Sequence, residues 1–146
     1  MILISHRGNI NGPITEKENT PEYISDAINK GYNVEIDVWY ENQLFFLGHD
    51  NPLYKIESEY LNNEKLWCHA KNIEAMEALK KINAHYYWHQ KDDVVLTSRG
   101  YFWTYPGKKI LKNSICVLPE ITKFKKFECA GICSDFIENY KSLIND

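Results

Sequence analysis

The chain has 146 residues, 44% of them hydrophobic and 14% aromatic, with a formal net charge of −3. That is enough apolar material for one core in a single domain over residues 1–146. It lacks the broad basic field that a nucleic-acid backbone would require, and the local run Lys123, Lys125, Lys126 reads as a solvated helix face.

The opening stretch, MILISHRGN, has no basic leader and no apolar run long enough for a signal peptide or a membrane span, so the expected compartment is the cytoplasm. Within it, ILIS reads as a buried strand that stops in a loop at His6-Arg7-Gly8. Thr20 is a good N-cap, Pro21 fits the first helical position, and Glu22 suits the first turn. Tyr23, Ile24, Ala27 and Ile28 follow at helical spacing, and Gly31 closes the helix. A strand from Asn33 to Trp39 comes next, which predicts a βαβ unit with a parallel pair. QLFFLGHD reads as a strand ending in polar residues, and LWCHAK as another. NIEAMEALKKIN is a helix with a stripe of Ile73, Met76, Leu79, Lys80 and Ile82. HYYWHQ, DVVLTS, YFWTYPG, SICVLPE and AGICSD are further short strands, and FIENYKSLI is a closing helix. Cys68, Cys116, Cys129 and Cys133 lack the paired C-x-x-C spacing of a zinc site. The first two read as buried thiols, and a Cys129–Cys133 disulfide is disfavoured.

Many short strands with helices between some of them predict an α/β fold, a reduced (β/α)8 TIM-like barrel with several outer helices missing or shortened. A complete barrel of this kind takes about 250 residues, or about 31 per unit, whereas this chain offers about 18. The stretch from His85 to Glu120 shows no helical stripe, in keeping with missing helices. The bare flank they leave predicts self-association as a homo-oligomer.

In VEIDVWY, side chains two apart on a strand share a face, so Glu35 and Asp37 point together while Val34, Ile36 and Val38 point the other way. Two carboxylates so close repel unless a cation lies between them, and a hard divalent ion suits oxygen ligands. A solvent-facing strand with two ordinary acids is the alternative. His6 and His49 each follow a strand, and a pair of imidazoles serves acid–base chemistry at neutral pH. Asp50 is placed to orient His49, and Glu120 ends a strand at the same expected mouth. The aromatic series from Tyr86 to Tyr105 fills the barrel, with Trp103 as a pocket wall.

Four motifs follow one another over the first 50 residues: His6-Arg7-Gly8, Glu18-Asn19-Thr20, Glu35-Ile36-Asp37 and His49-Asp50. Their order and spacing resemble the glycerophosphodiester phosphodiesterase family, and more widely the phosphatidylinositol-phospholipase-C-like phosphodiesterases and sphingomyelinase D. Beyond residue 50 the likeness narrows to Lys71 and to Ser134-Asp135. The resemblance implies a (β/α)8 barrel, here shortened. It implies His6 and His49 as acid and base, Glu35 and Asp37 as ligands of Mg²⁺ or Ca²⁺, and Arg7 as a bidentate phosphate contact. Glu18 would orient Arg7 or His6 or approach the metal, and Lys71 would contact phosphate.

One position departs from the family pattern: an acid usually stands two residues before that lysine, and here it is His69. Imidazole is a softer ligand that suits Zn²⁺ or Mn²⁺ better than Ca²⁺. The expected ion is Mg²⁺, with Ca²⁺ or Mn²⁺ as alternatives and His69 as a ligand or phosphate contact. The implied activity is metal-dependent cleavage of a glycerophosphodiester or a related small or lipid-derived phosphodiester. The alternatives are a sphingomyelinase-D-like lyase and a catalytically weakened phosphate-group binding module.

Overall fold

Local chemistry starts both helices of the computed structural model, which describes residues 1–122 and 128–144. Thr20 Oγ1 accepts the Tyr23 N–H at 3.3 Å, and Pro21 opens helix α1 (Pro21–Asn29). Asn72 Oδ1 accepts the Ala75 N–H at 3.0 Å and opens helix α2 (Ile73–Lys81). The same Asn72 side chain is tied to both the N–H and the carbonyl of Tyr40. That double tie sets the rotational phase of α2. Ala75, Ala78 and Leu79 are buried, and Ile73, expected in the buried stripe, is 65% exposed.

Among the described residues, ten strands form one mixed, curled sheet. They are β1 (Ile2–His6), β2 (Asn33–Glu41), β3 (Leu44–Leu47), β4 (Tyr54–Ile56), β5 (Leu66–Ala70), β6 (Tyr86–Trp88), β7 (Val94–Leu96), β8 (Phe102–Thr104), β9 (Ser114–Val117) and β10 (Gly131–Ser134). Seven run parallel in the order β6-β5-β2-β1-β10-β9-β8. β7 lies antiparallel on β8, while β3 and β4 form an antiparallel extension of β2. Three 3-10 segments, Ser58–Asn62, Pro119–Ile121 and Ile137–Ile144, complete the described elements.

This architecture corrects the expectation of a reduced (β/α)8 barrel: the sheet is a curled half-barrel of mixed direction, not a ring of alternating strands and helices. Two causes stand out. Asn42 and Gln43 both adopt positive φ (49° and 63°), the geometry that reverses a strand through a two-residue turn. QLFFLGHD therefore folds back on β2 and is not a further parallel unit. From β6 to β9 the chain is too short for crossover helices and uses loops and the antiparallel β7 instead. The closing helix is likewise a 3-10 segment over Ile137–Ile144, and the four cysteines are free thiols. The lysines at 123, 125 and 126 lie outside the described residues.

The two faces of the sheet bury different cores. Val34, Ile36 and Val38 of β2 face the helices and are sealed with Ile24, Ala27, Ala75 and Leu79. Each such fully buried aliphatic contributes about 1.5–3 kcal/mol. Inside the curl, Ile4, Trp67, Tyr87, Trp103, Ile115, Val117 and Cys133 form a second, aromatic core that floors the site. Val94 and Leu96 point outward on the helix-free flank, with Leu96 64% exposed. Among the described residues, no helix is long and apolar enough to cross a membrane.

Candidate functional site

Strand register brings the charged residues side by side. His6 of β1 pairs with Glu35 of β2, Asp37 of β2 pairs with His69 of β5, and His69 pairs with Tyr87 of β6. Register partners on one face of a sheet lie about 4.8 Å apart across the strands. Five side chains that the chain scatters between positions 6 and 87 are thus brought together beside the aromatic core. His6, Glu35, His69 and Tyr87 border a cleft of about 440 Å³, together with Arg7, His49, Lys71, His89, Trp103 and Tyr105, while Asp37 is fully buried.

The loops deliver the rest. After β1 the chain turns through Arg7 (φ 55°) and Gly8 (φ 94°). A Cβ on Gly8 would lie 2.6 Å from the Tyr23 ring, so this turn requires glycine. The turn lays Arg7 over the site, with Nε 3.1 Å from Asp37 Oδ2 and Nη1 3.3 Å from Glu18 Oε2. β2 runs past the rim and β3 returns along it, so His49 descends onto Asp37 from above, Nδ1 to Oδ2 at 3.5 Å. Gly48 (φ 150°) permits that descent, since a Cβ there would collide with the Asn51 carbonyl.

The two carboxylates of β2 have opposite electrostatics although both are buried. Burial would raise the pKa of Asp37, but hydrogen bonds from His49 and His69 and the charge of Arg7 hold it well below the usual carboxylate range. Asn19 clamps it further: its Nδ2 donates to Asp37 Oδ2 at 2.9 Å, and its Oδ1 accepts the Asp37 N–H at 2.9 Å. Lys71 Nζ stands 3.7 Å from Oδ1. Glu35 is 2% exposed and has a raised pKa, first from burial and then from the neighbouring Asp37 charge. Tyr87 donates to its Oε1 at 3.2 Å, while Oε2 has no hydrogen-bond partner among the described residues and sits 3.7 Å from His6 Nε2.

His6 is held from behind. Its Nδ1 lies 2.7 Å from Asp135 Oδ1, which also accepts from Asn9 Nδ2 at 2.8 Å. Burial would lower the His6 pKa, but Asp135 and Glu35 outweigh it and raise it. Asn9 reaches Glu18 Oε1 at 2.8 Å as well, so Asn9 joins the His6 support to the Arg7 support.

Glu35, Asp37 and His69 could hold a metal ion: one ligand atom from each lies within 4.8 Å of the others. The donor set fits. An orphaned carboxylate oxygen deep in a protein is costly without a counter-charge, and Glu35 Oε2 is one. His69 Nδ1 faces both acids, at 3.1 Å from Asp37 Oδ1 and 3.9 Å from Glu35 Oε1, while its Nε2 lies 3.3 Å from the His89 carbonyl. With Nε2–H given to the His89 carbonyl, Nδ1 is the nitrogen that an ion would bind, in place of the hydrogen bond it shares with Asp37.

Nine of the residues expected from sequence converge on this site: His6, Arg7, Glu18, Glu35, Asp37, His49, His69, Lys71 and Trp103. Asp50 does not: it is 85% exposed and meets His49 Nε2 from the solvent side at 3.6 Å. Glu120 stands behind the cleft, accepting from Ser134 Oγ and the Asp135 N–H. Sequence reasoning gave no role in the site to Asp135, Asn9, Asn19 or His89, and gave Tyr87 only a place in the aromatic filling. Only Asn19 and Asp135 carried a signal, through the motifs in which they stand. Four of the five histidines of the chain line the cleft, a clustering that becomes visible only when the strands are paired. Comparison with known proteins found no matching family model, no matching curated protein and no matching solved structure.

Proposed function

We propose that this chain is a divalent-cation-dependent phosphodiesterase acting on a glycerophosphodiester or a related small or lipid-derived phosphodiester. The observation that carries the reading is the convergence of His6, His49, Arg7 and Lys71 around the Glu35–Asp37–His69 cluster in one cleft. It agrees with the resemblance of the motifs to the glycerophosphodiester phosphodiesterase family.

A cation held by Glu35, Asp37 and His69 would neutralise phosphate charge as a Lewis acid. The remaining work falls to side chains. Asp135 accepts the hydrogen bond of His6 Nδ1–H, so Nε2 faces the cleft as the atom that holds or moves a proton. His49 stands on the other side of Arg7, its Nε2 3.5 Å from Arg7 Nη2, and supplies the second proton-transfer group. One imidazole removes a proton from the attacking oxygen and the other protonates the leaving alkoxide, each transfer contributing about 10²–10⁴-fold. Arg7 and Lys71 bind phosphate oxygens. Trp103, Tyr105 and Leu118 form a wall that excludes water from one side.

Charge also sets an order of events. Glu18, Glu35, Asp37 and Asp135 outnumber Arg7 and Lys71 around the cleft. An anion therefore enters more favourably once a divalent cation has cancelled that excess. Mg²⁺ is the ion that two carboxylates and water would suit.

Phosphorus NMR of a glycerophosphodiester panel with Mg²⁺ or Mn²⁺ tests the reading. The wild type should turn over at least one substrate, and His6→Ala and His49→Ala should lose about 10²-fold or more while staying folded. Near-normal turnover by both variants would sink the proposal. A cyclic phosphate as the final product would instead identify a sphingomyelinase-D-like lyase, and binding without turnover a phosphate-group binding module.

A further inference from the structure

We propose that His69 coordinates through Nδ1, and that this makes the Glu35–Asp37–His69 centre selective for Mn²⁺-class ions over Mg²⁺ and Ca²⁺. The inference rests on the metal-binding part of the proposed function and goes beyond it by naming the class of ion.

Three features of His69 support it. Its ring cannot easily turn away, because it stacks on Tyr87 with centroids 5.1 Å apart and planes 8° from parallel. Its Nε2 is taken by the His89 carbonyl at 3.3 Å, which leaves Nδ1 for the carboxylate side. Nδ1 is the ring atom that approaches both acids, at 3.1 and 3.9 Å. Independently, Glu35 Oε2 is buried in the cleft wall without a hydrogen-bond partner among the described residues, with His6 Nε2 3.7 Å away, so its lone pairs are open to an ion. Ca²⁺ takes oxygen ligands almost exclusively, and Mg²⁺ demands near-ideal oxygen octahedra. Two carboxylates and one imidazole favour first-row transition ions, with affinity rising from Mn²⁺ along the series.

The neighbouring cations sharpen the argument. Asp37 already receives Arg7, Lys71, His49 and Asn19. An ion has to displace some of these contacts to reach Asp37. An ion with a strong bond to nitrogen gains at His69 part of what it loses in that exchange, whereas Mg²⁺ and Ca²⁺ gain little there.

Chelator-stripped full-length protein would be titrated calorimetrically with Mn²⁺, Mg²⁺ and Ca²⁺, and the Mn²⁺-loaded protein examined by pulsed paramagnetic resonance for nitrogen-14 coupling. We expect Mn²⁺ to bind about tenfold or more tightly than either other ion, and a nitrogen coupling that survives His6→Ala and disappears in His69→Asp. The same His69→Asp change should move the preference toward Mg²⁺ and Ca²⁺. Equal affinities for the three ions, or a Mn²⁺ spectrum without nitrogen coupling in the wild type, would overturn the proposal; neither measurement depends on the variants folding. Nitrogen coupling without phosphodiester turnover would support this assignment while removing the phosphodiesterase reading. Absence of binding by any of the three ions would remove both.

Discussion

The strands from β1 to β6 and those from β7 to β9 build one sheet on different terms. In the first region α1 and α2 back the parallel strands, and Ile36 and Cys68 are completely buried beneath them. In the second, β7 and β8 are three residues each and the outward face of β7 is bare. The first region carries most of the charge of the cleft: His6, Arg7, Glu18, Glu35, Asp37, His49, His69 and Lys71. The second supplies the neutral wall of Trp103, Tyr105 and Val117. The contrast has a physical reason. Two buried carboxylates are tolerated only where rigid neighbours keep every counter-charge in place, and a strand packed under a helix provides that rigidity. An uncharged wall asks for less.

The largest effect that should separate the two regions comes from matched acids. Asp37→Ala leaves Arg7 and Lys71 without their buried partner and should destabilise by about 3–5 kcal/mol in urea unfolding. Asp93→Ala at the start of β7 breaks an exposed pair with Lys108 (2.8 Å) and should cost less than about 1 kcal/mol. Equal losses would erase the distinction.

A smaller contrast concerns packing. Leu79→Ala empties a sealed site under the sheet and should cost about 3 kcal/mol. Leu96→Ala on the open flank should stay within about 0.5 kcal/mol. A loss at Leu96 as large as that at Leu79 would mean that the flank is covered in solution.

The seam between the regions should titrate. His85 lies just before β6, its Nε2 2.8 Å from Thr97 Oγ1 just after β7. Burial, and then the charge of Arg99, push its pKa down from 6.5 to about 4. The unfolded chain therefore takes up the proton first. Stability from this group is complete above pH 6.5 and is lost as the pH falls from 6.5 to about 4, by about 2 kcal/mol. Urea midpoints of wild type and His85→Phe at pH 7 and pH 4.5 should show a shallower pH dependence in the variant. An unchanged slope would assign the effect to other groups.

Legibility followed the range of the interaction. The Thr20-Pro21-Glu22 start of α1 and the shared face of Glu35 and Asp37 depend on neighbours a few residues away, and the sequence displays both. The helix-poor stretch after β6 was visible as a missing stripe. The reversal at Asn42-Gln43 was not, because neither residue is the glycine that usually marks such a turn. That unmarked turn changed a parallel unit into a hairpin and, with the helix-free run from β6 to β9, gave a mixed sheet in place of a barrel. The His6–Asp135 pair spans 129 residues and depends on the parallel register of β1 with β10, which no local pattern encodes. His89 was hidden for the same reason, since its part is a backbone carbonyl offered to His69.

The most direct measurement is an anomalous difference map from crystals soaked in Mn²⁺. The account predicts one strong peak in the cleft, about 2.0–2.4 Å from Glu35, Asp37 and His69 Nδ1. A map with no peak there, or with the ion bound only at surface carboxylates such as Asp50, would contradict it.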